Sequence, residues 1–565
     1  MIDNEMFAKT AIIFILMKFV CSDNGNSIIQ LPNGKILGRE AVTFDKKSYY
    51  AFEKIPYATP PLGSLRFKAP QSAQNWDGIL NTTHMDVTCM QVTKNLSKES
   101  EDCLYLNVYT PQLPHNDNVS FPVMLYIHGG AFMHESSMDS APDLFLNNDI
   151  IFVSINYRLG PFGFLSTQDE VIPGNNGLKD QLLAIRWTHD NIIYFGGDPG
   201  RIIISGESAG SASVAYQLLN PHSQDLFQGA ILESGSCLSP WSYQRNSRNI
   251  AFATAAILNS TFETNNDSQA LLEFLQNVDA QELDAAAQKY LNKVSTPWDY
   301  DVSQGCVWAP VIEPKNPDAF LTKKMYGLVK AGNIAKVPIL MGFNSEESLY
   351  FNKDPDTFKS SMETWDKNLD IIVPNDMQIT DQEQRVKVGQ AIREIYTGGQ
   401  PFADNLGAGI RYSSDTSFTR PIRKHAEFAS SFTQIFFYQF SYDGILGNIN
   451  VHYDGAENVG HTEIIKYLFC SGSKCDISEN PENDQITRNR LIKLWTDFAK
   501  YLNPTPEPSQ LLQNITWPSI STDHGDFPYL DINEKLEIKK FPKEETFAKW
   551  IELYNDLDYK DFDTY

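Results

Sequence analysis

The chain has 565 residues, of which 42% are hydrophobic and 21% are charged, a composition typical of a globular protein and not of a disordered, collagen-like or coiled-coil chain. It contains 46 Lys and Arg residues against 70 Asp and Glu residues, which gives a net charge of −24. Because such a surface repels phosphate groups, we expect neither nucleic acid nor an anionic membrane surface as a partner.

The N-terminus predicts a signal peptide. Residues 10–21 form an apolar run that is too short to span a membrane and has the length of a signal-peptide core. We therefore predict that residues 1–22 are removed by cleavage after Ser22, and that residues 23–565 form a secreted, extracellular protein. Met6 is an alternative start, and an N-terminal helix that is buried or lies on a membrane is the alternative interpretation. No later run reaches 18 apolar residues, so we predict no stable membrane anchor.

The sequons and cysteines agree with secretion. Six Asn-x-Ser/Thr sequons are predicted glycosylation sites: Asn81, Asn95, Asn118, Asn259, Asn266 and Asn514. Six cysteines remain once Cys21 is removed, and in an oxidising compartment they can pair. A bridge between Cys89 and Cys103 would contribute about 3 kcal/mol by loop closure, and Cys470 and Cys475 are a second candidate pair. The spacing of cysteines and histidines predicts no metal site.

Short apolar runs alternate with longer amphipathic segments along the chain. Six runs predict buried strands: 123–127, 151–155, 202–204, 230–232, 338–341 and 435–440. Residues 178–194 and 212–219 predict helices, and the stretches 242–300 and 352–430 predict helical excursions from the sheet. This alternation predicts an α/β fold in which helices cover a large, mostly parallel central sheet, within a single domain that has helical insertions.

The stretch 201–219 carries the clearest functional signal. A β-branched strand runs into the segment 206–210, which reads Gly-Glu-Ser-Ala-Gly, and a predicted helix follows. Glycines two residues on either side of Ser208 allow the sharp strand-to-helix turn of a nucleophile elbow, which exposes the serine hydroxyl. A helix N-cap would explain Ser208 but neither glycine. The pattern therefore predicts that Ser208 is a nucleophile.

A serine hydroxyl needs a base to take its proton. In this type of fold the acid lies between the serine and the base in chain order, so the base must follow Ser208. Five histidines do so: His222, His425, His452, His461 and His524. The residues alone do not decide among them, although the position of His461 in a Gly-His-Thr-Glu segment after a predicted strand favours it.

These features resemble the type-B carboxylesterase and cholinesterase family, and within it the secreted insect-type carboxylesterases. The resemblance lies in seven ordered blocks, at residues 55–67, 100–111, 126–132, 155–165, 174–187, 195–210 and 231–236. It implies the α/β-hydrolase fold and the hydrolysis of small-molecule carboxylic esters through an acyl-enzyme, without a cofactor. We expect a monomer or a weak dimer. Some members degrade hormone, pheromone, odorant or xenobiotic esters, and the residues do not choose among these substrates.

The resemblance also implies the other catalytic residues. The family's acid segment, Gly-x-Asn-x-Asp-Glu-Gly, matches residues 342–348 and implies Glu347, with Glu346 as the alternative acid. The family's histidine segment matches residues 456–469 and implies His461. The implied backbone donors of the oxyanion hole are Gly130, Ala131 and Ala209, where the family has a third glycine in place of Ala131.

Residues around this triad follow from the same resemblance. Glu207 is expected to order water or tune the histidine, and Ser234 matches a serine that supports the triad. The pair Cys89–Cys103 matches the family's first disulfide. The family's second disulfide falls in a region without cysteine here, so the pairing of the other cysteines stays open: Cys237, Cys306, Cys470 and Cys475.

The resemblance also bears on the substrate. Cholinesterases hold choline by a cation–π contact with a tryptophan in the first disulfide loop, whereas the loop 89–103 has no aromatic residue here. Gln304 and Cys306 stand where acetyl-specific members have bulky aromatic residues, which predicts a roomier acyl site. Further apolar pocket candidates are Trp241, Trp308 and Phe351. The alternative functions are a lipase that acts at lipid interfaces and a non-catalytic, neuroligin-like binding protein.

Overall fold

The computed structural model describes residues 20–22, 26–92, 98–114, 120–294, 305–447, 449–520 and 525–565. Several predictions fall outside these described residues: residues 1–19 of the predicted signal peptide, the sequons at Asn95 and Asn118, and the pocket candidate Gln304.

The described residues contain sixteen strands. They are β1 Val20–Ser22, β2 Asn26–Leu31, β3 Gly34–Val42, β4 Ser48–Pro56, β5 Ile79–Asn81, β6 Thr88–Cys89, β7 Glu99–Ser100, β8 Tyr105–Thr110, β9 Phe121–Ile127, β10 Ile151–Ile155, β11 Gly197–Glu207, β12 Gly229–Glu233, β13 Ile339–Asn344, β14 Ile435–Phe440, β15 Pro528–Ile532 and β16 Leu536–Lys540. Fourteen of them form one sheet in the order β1-β2-β3-β4-β8-β10-β9-β11-β12-β13-β14-β15-β16, with β5 paired to β3. β6 and β7 pair separately.

Helices cover this sheet. The α-helices of the described residues are α1 Asp143–Asn147, α2 Gly160–Phe164, α3 Asn176–Asn191, α4 Ala209–Leu219, α5 Ser247–Leu258, α6 Ser268–Asn277, α7 Ala280–Val294, α8 Met325–Lys330, α9 Pro355–Lys367, α10 Gln382–Thr397, α11 Leu406–Ser414, α12 Arg420–Ala429, α13 Glu463–Leu468, α14 Glu482–Tyr501 and α15 Glu544–Asp556. Among the described residues, none of these helices has both the length and the apolar character needed to cross a membrane.

The six predicted strands are confirmed as the centre of the sheet, β9 to β14. The strands from β10 to β15 are paired in parallel, and antiparallel strands extend the sheet at both ends. Residues of β10 show why the strands read as continuous apolar runs: Ile151 and Val153 face one core layer, while Phe152 faces the other. Because side chains alternate between the faces, a sheet covered on both sides needs apolar residues at every position.

The helical predictions are confirmed with shifted ends. The helix predicted at 178–194 is α3, which ends at Asn191 because the next four residues form a 3₁₀ turn. The helix predicted at 212–219 is α4, which begins three residues earlier, directly after Ser208. The excursions contain α5 to α7 and α9 to α12.

Two disulfides are present in the described residues. Cys89 is bonded to Cys103, and Cys470 to Cys475. The other two cysteines of the open set, Cys237 and Cys306, are free thiols in the buried core.

Candidate active site

Ser208 occupies the turn between β11 and α4. Its backbone has φ 57° and ψ −121°, and its N–H donates to the Glu233 carbonyl on β12 at 2.9 Å. Although Ser208 stands at the N-cap position of α4, its side chain makes no capping hydrogen bond with the described residues. The hydroxyl is therefore not used to cap the helix.

The two flanking glycines are required by close packing. A Cβ atom at Gly206 would lie 2.5 Å from the carbonyl carbon of Gly210, and a Cβ atom at Gly210 would lie 2.0 Å from the Ile127 carbonyl oxygen. Real Cβ atoms do not approach so closely, so any larger residue would push the helix away from the sheet. The glycines thus hold Ser208 in the strained turn at the end of β11.

His461 and Glu347 meet at the same edge of the sheet. Glu347 lies in the turn after β13, and His461 lies in the loop before α13. His461 Nδ1 is 2.6 Å from Glu347 Oε2, and the His461 N–H donates to the Glu347 carbonyl at 3.0 Å. Both side chains are buried. One carboxylate oxygen and one carbonyl therefore fix the histidine ring and its backbone.

The second carboxylate oxygen of Glu347 is also held. Its Oε1 atom accepts hydrogen bonds from Ser234 Oγ at 2.6 Å and from the Asn344 N–H at 2.7 Å. Asn344 also donates from Nδ2 to the Gly460 carbonyl at 2.8 Å, which ties the acid turn to the histidine loop. Ser234 and Asn344 therefore both hydrogen-bond the carboxylate of Glu347; the sequence singled out Ser234 but not Asn344.

The alternative acid, Glu346, points elsewhere. Its Oε2 atom accepts from the Glu457 N–H at 3.1 Å, and its Oε1 atom has no hydrogen-bond partner among the described residues. Burial raises the pKa of Glu346 to about 7. Two adjacent residues in a tight turn project in different directions, so only Glu347 is placed against the imidazole of His461.

Glu207 lies on the other side of the histidine ring. Its Oε1 atom is 3.3 Å from His461 Nε2, and both residues are at most 4% exposed. Burial raises the pKa of Glu207 to about 8. Burial alone would lower the pKa of His461, but the nearby carboxylates of Glu207 and Glu347 outweigh it and raise the pKa above its usual value. The carboxylates therefore favour an imidazolium ion in this site.

The segment that carries two of the expected oxyanion donors follows Gly129, which lies beside Ser208. Gly130 and Ala131 have φ values of 80° and 53°, so the chain turns through the left-handed region after β9. This turn is close to the nucleophile, since a Cβ atom at Gly129 would be 3.2 Å from Ser208 Cβ. Ala209 is the first residue of α4, where backbone N–H groups have no partner within the helix and the helix dipole is positive. The arrangement suits a developing negative charge.

Aromatic rings surround the histidine. The ring centroids of Phe418, Phe351 and Tyr350 lie 4.6, 5.6 and 6.0 Å from that of His461. Phe351 was a predicted pocket residue, whereas Phe418 and Tyr350 were not predicted. Tyr350 could have been found from its position next to Phe351. Phe418 lies in a π-helical turn, Asp415–Thr419, inside a helical excursion, and no local sequence pattern marks it.

The remaining pocket candidates lie deeper in the core. Trp241 is 5.7 Å from Phe418, measured between ring centroids, and its Nε1 donates to the Ser417 carbonyl at 2.8 Å. The Cys306 N–H donates to the Trp241 carbonyl at 3.2 Å, so these two residues are neighbours behind the aromatic rings. Trp308 is buried and packs against Tyr290 instead.

Known proteins are similar to this chain in sequence and fold. The profile of the Carboxylesterase family matches residues 25–550. Esterase FE4 of Myzus persicae is 32% identical over 534 residues, which cover 91% of this chain and 90% of that protein. Venom carboxylesterase-6 of Apis mellifera is 30% identical over 559 residues, with 95% and 96% covered. Juvenile hormone esterase of Tribolium castaneum is 30% identical over 527 residues, with 87% and 86% covered.

A solved structure has the same fold. The crystal structure of juvenile hormone esterase from Manduca sexta, with OTFP covalently attached, superposes with a TM-score of 0.80 at 26% identity. The match covers 94% of this chain and 100% of that chain. The sheet and helices described above are therefore those of an α/β-hydrolase.

Proposed function

Since the chain belongs to the carboxylesterase family of ester hydrolases, we propose that it is a serine carboxylesterase that works through an acyl-enzyme on Ser208. The observation that supports this most directly is the 2.6 Å contact between His461 Nδ1 and Glu347 Oε2 beside the strained Ser208 turn. When a carboxylate accepts the N–H of a histidine's Nδ1, the ring presents Nε2 as the nitrogen that takes the serine proton.

The proposed reaction has two steps. His461 takes the proton of Ser208 as Oγ attacks the ester carbonyl, and Glu347 stabilises the imidazolium ion that forms. His461 then gives the proton to the departing alcohol, and water cleaves the acyl-enzyme by the same route. Glu207 is close enough to Nε2 to hold the attacking water or to stabilise the charged histidine.

The oxyanion of each tetrahedral intermediate would be bound by backbone N–H groups. The proposed donors are Gly130, Ala131 and Ala209. One such donor typically stabilises the transition state by about 2.7–4 kcal/mol, because it is already oriented before charge develops.

The proposed substrates are esters with an apolar acyl group. The rings of Phe418, Phe351 and Tyr350 place apolar surface close to the base. Cys306 lies behind them, and because a cysteine is smaller than the aromatic residues of acetyl-specific members, we expect a roomier acyl site. Hormone, pheromone, odorant and xenobiotic esters all fit this description.

Secretion and glycosylation are part of the proposal. Of the sequons within the described residues, Asn81, Asn266 and Asn514 are exposed and Asn259 is partly exposed, so each is accessible for a glycan. The disulfide between Cys89 and Cys103 suits an oxidising compartment.

An ester panel tests this function. We expect butyrate and longer esters of 3,3-dimethylbutanol to be hydrolysed with a higher kcat/KM than acetylcholine and butyrylcholine. Without the loop tryptophan, a cation–π contact of about 0.5–2 kcal/mol is lost, which lowers choline preference by about two- to thirtyfold. Apolar contact adds about 0.8 kcal/mol for each buried methylene group. Initial rates across acetate, butyrate and hexanoate esters give the comparison.

Two results would contradict this reading. Acetylcholine with the highest kcat/KM of the panel would overturn the substrate class, and no hydrolysis above a Ser208→Ala blank would overturn the function. A Cys306→Phe variant should slow the hexanoate ester more than the acetate ester if Cys306 adjoins the acyl group.

A further inference from the structure

Glu135 is a carboxylate in the turn that follows the expected oxyanion donors. Its φ is 74°, in the left-handed region that glycine adopts more readily than any other residue. Two hydrogen bonds hold its backbone to the first disulfide loop. The Glu135 N–H donates to Gln91 Oε1 at 3.2 Å, and Gln91 Nε2 donates to the Glu135 carbonyl at 2.8 Å. Glu135 thus places a side chain at a position where the backbone conformation favours glycine.

The side chain of Glu135 adjoins the proposed reaction centre. A Cβ atom added to Gly130 would lie 3.1 Å from Glu135 Cγ, and one added to Gly129 would lie 3.0 Å from Glu207 Oε2. The two carboxylates therefore flank the same two-residue segment, beside Ser208. Glu135 is exposed to solvent, whereas Glu207 is buried, and within the described residues its Oε1 atom makes no hydrogen bond beyond its 3.3 Å charge contact with His461 Nε2.

We expect the alcohol to leave on the side of Ser208 where Glu207 and Glu135 lie. In the proposed reaction His461 Nε2 delivers a proton to the leaving oxygen, and Glu207 Oε1 is 3.3 Å from that nitrogen. A group attached to the leaving oxygen therefore passes close to Glu207 and Glu135. The charges that act on Glu135 are those of Asp139, Glu207, His461 and Lys466.

We propose that Glu135 determines specificity at the leaving-group side, and that with Glu207 it favours esters whose alcohol carries a protonated amine with an N–H donor. This inference rests on the proposed esterase function. A carboxylate binds an N–H donor through a short, charge-assisted hydrogen bond, which a quaternary ammonium cannot make. The ring of Tyr350, which could hold a quaternary ammonium, already has Lys353 Nζ 4.2 Å from its centroid.

The preference should depend on pH. Partial desolvation beside Gly129 and the like charge of Asp139 raise the pKa of Glu135 to about 7, and burial raises that of Glu207 to about 8. Both groups are more often neutral below these values and charged above them, so the attraction for a protonated amine grows as the pH rises from about 6 to about 8. The two carboxylates interact, so the change belongs to the pair.

The test compares two butyrate esters of nearly equal shape. They are 2-(dimethylamino)ethyl butyrate, whose protonated amine has one N–H, and 3-methylbutyl butyrate, which is neutral and has a C–H in place of that N–H. We expect the kcat/KM ratio of amine to neutral ester to rise with pH in the wild type, and to fall about two- to fivefold in both Glu135→Gln and Glu135→Gly. Glu383→Gln removes an exposed carboxylate on α10 and should leave the ratio unchanged.

The outcomes separate this inference from the function on which it rests. If the wild type, Glu135→Gln and Glu135→Gly all show the same kcat/KM ratio of amine to neutral ester, the role of Glu135 is overturned. The esterase function would still stand. Wild-type enzyme that hydrolyses neither ester would overturn the esterase function. Choline butyrate turned over faster than the dimethylamino ester would overturn the requirement for an N–H donor.

Discussion

Ser208→Ala is expected to lower kcat for every ester by about 10⁴- to 10⁶-fold and to abolish covalent labelling by an organophosphate. Within the proposed triad, only the Ser208 hydroxyl forms the acyl-enzyme. Removal of Oγ should leave the backbone of the turn unchanged. Steady-state rates with a chromogenic ester measure the first effect, and mass spectrometry of the labelled peptide measures the second.

Ser205→Ala is the matched control for this change. Ser205 lies three residues earlier on β11, and its hydroxyl donates to the Leu125 carbonyl at 3.1 Å. Its loss costs about 1 kcal/mol of stability, the usual net contribution of a hydrogen bond, and should leave labelling intact. Stoichiometric labelling of another serine in the Ser208→Ala variant would show that the nucleophile lies elsewhere.

The nucleophile could be predicted from the residues because its requirements are local. Strand, turn and helix lie within 201–219, and the close contacts at Gly206 and Gly210 explain why both positions are glycine. The strands in the parallel centre of the sheet could also be predicted, because burial on both faces requires continuous apolar runs. Helix ends were harder to predict, because the 3₁₀ turn after Asn191 continues the apolar pattern of the helix.

The rest of the site depends on contacts between distant parts of the chain. Glu347 and His461 are separated by 114 residues, and only the family resemblance brought them together before the structure was known. Phe418 reaches the histidine through a π-helical turn that no hydrophobic period predicts. Glu135 has an ordinary sequence context, and its unusual position becomes evident only from its backbone conformation and its neighbours.

Glu347→Gln is expected to lower kcat by about 10⁴-fold, although the substituted side chain has nearly the same shape. The Asn344 N–H and the Ser234 hydroxyl both donate to the Oε1 position, so the amide oxygen must take that place. The amide NH₂ then faces His461 Nδ1, which has to become an acceptor. The imidazole is forced into the tautomer that carries its proton on Nε2, where it cannot accept the proton of Ser208.

Glu346→Gln is the matched control, because it makes the same chemical change one residue away. The Glu346 carboxylate accepts from the Glu457 N–H, and an amide oxygen can replace it in that contact. We therefore expect kcat within about threefold of the wild type, a size usual for a change that leaves neighbouring contacts in place. Steady-state rates with one apolar butyrate ester, together with thermal unfolding of both variants, make the comparison. If Glu346→Gln were the crippling change while Glu347→Gln stayed active and folded, the acid that orients His461 would be Glu346.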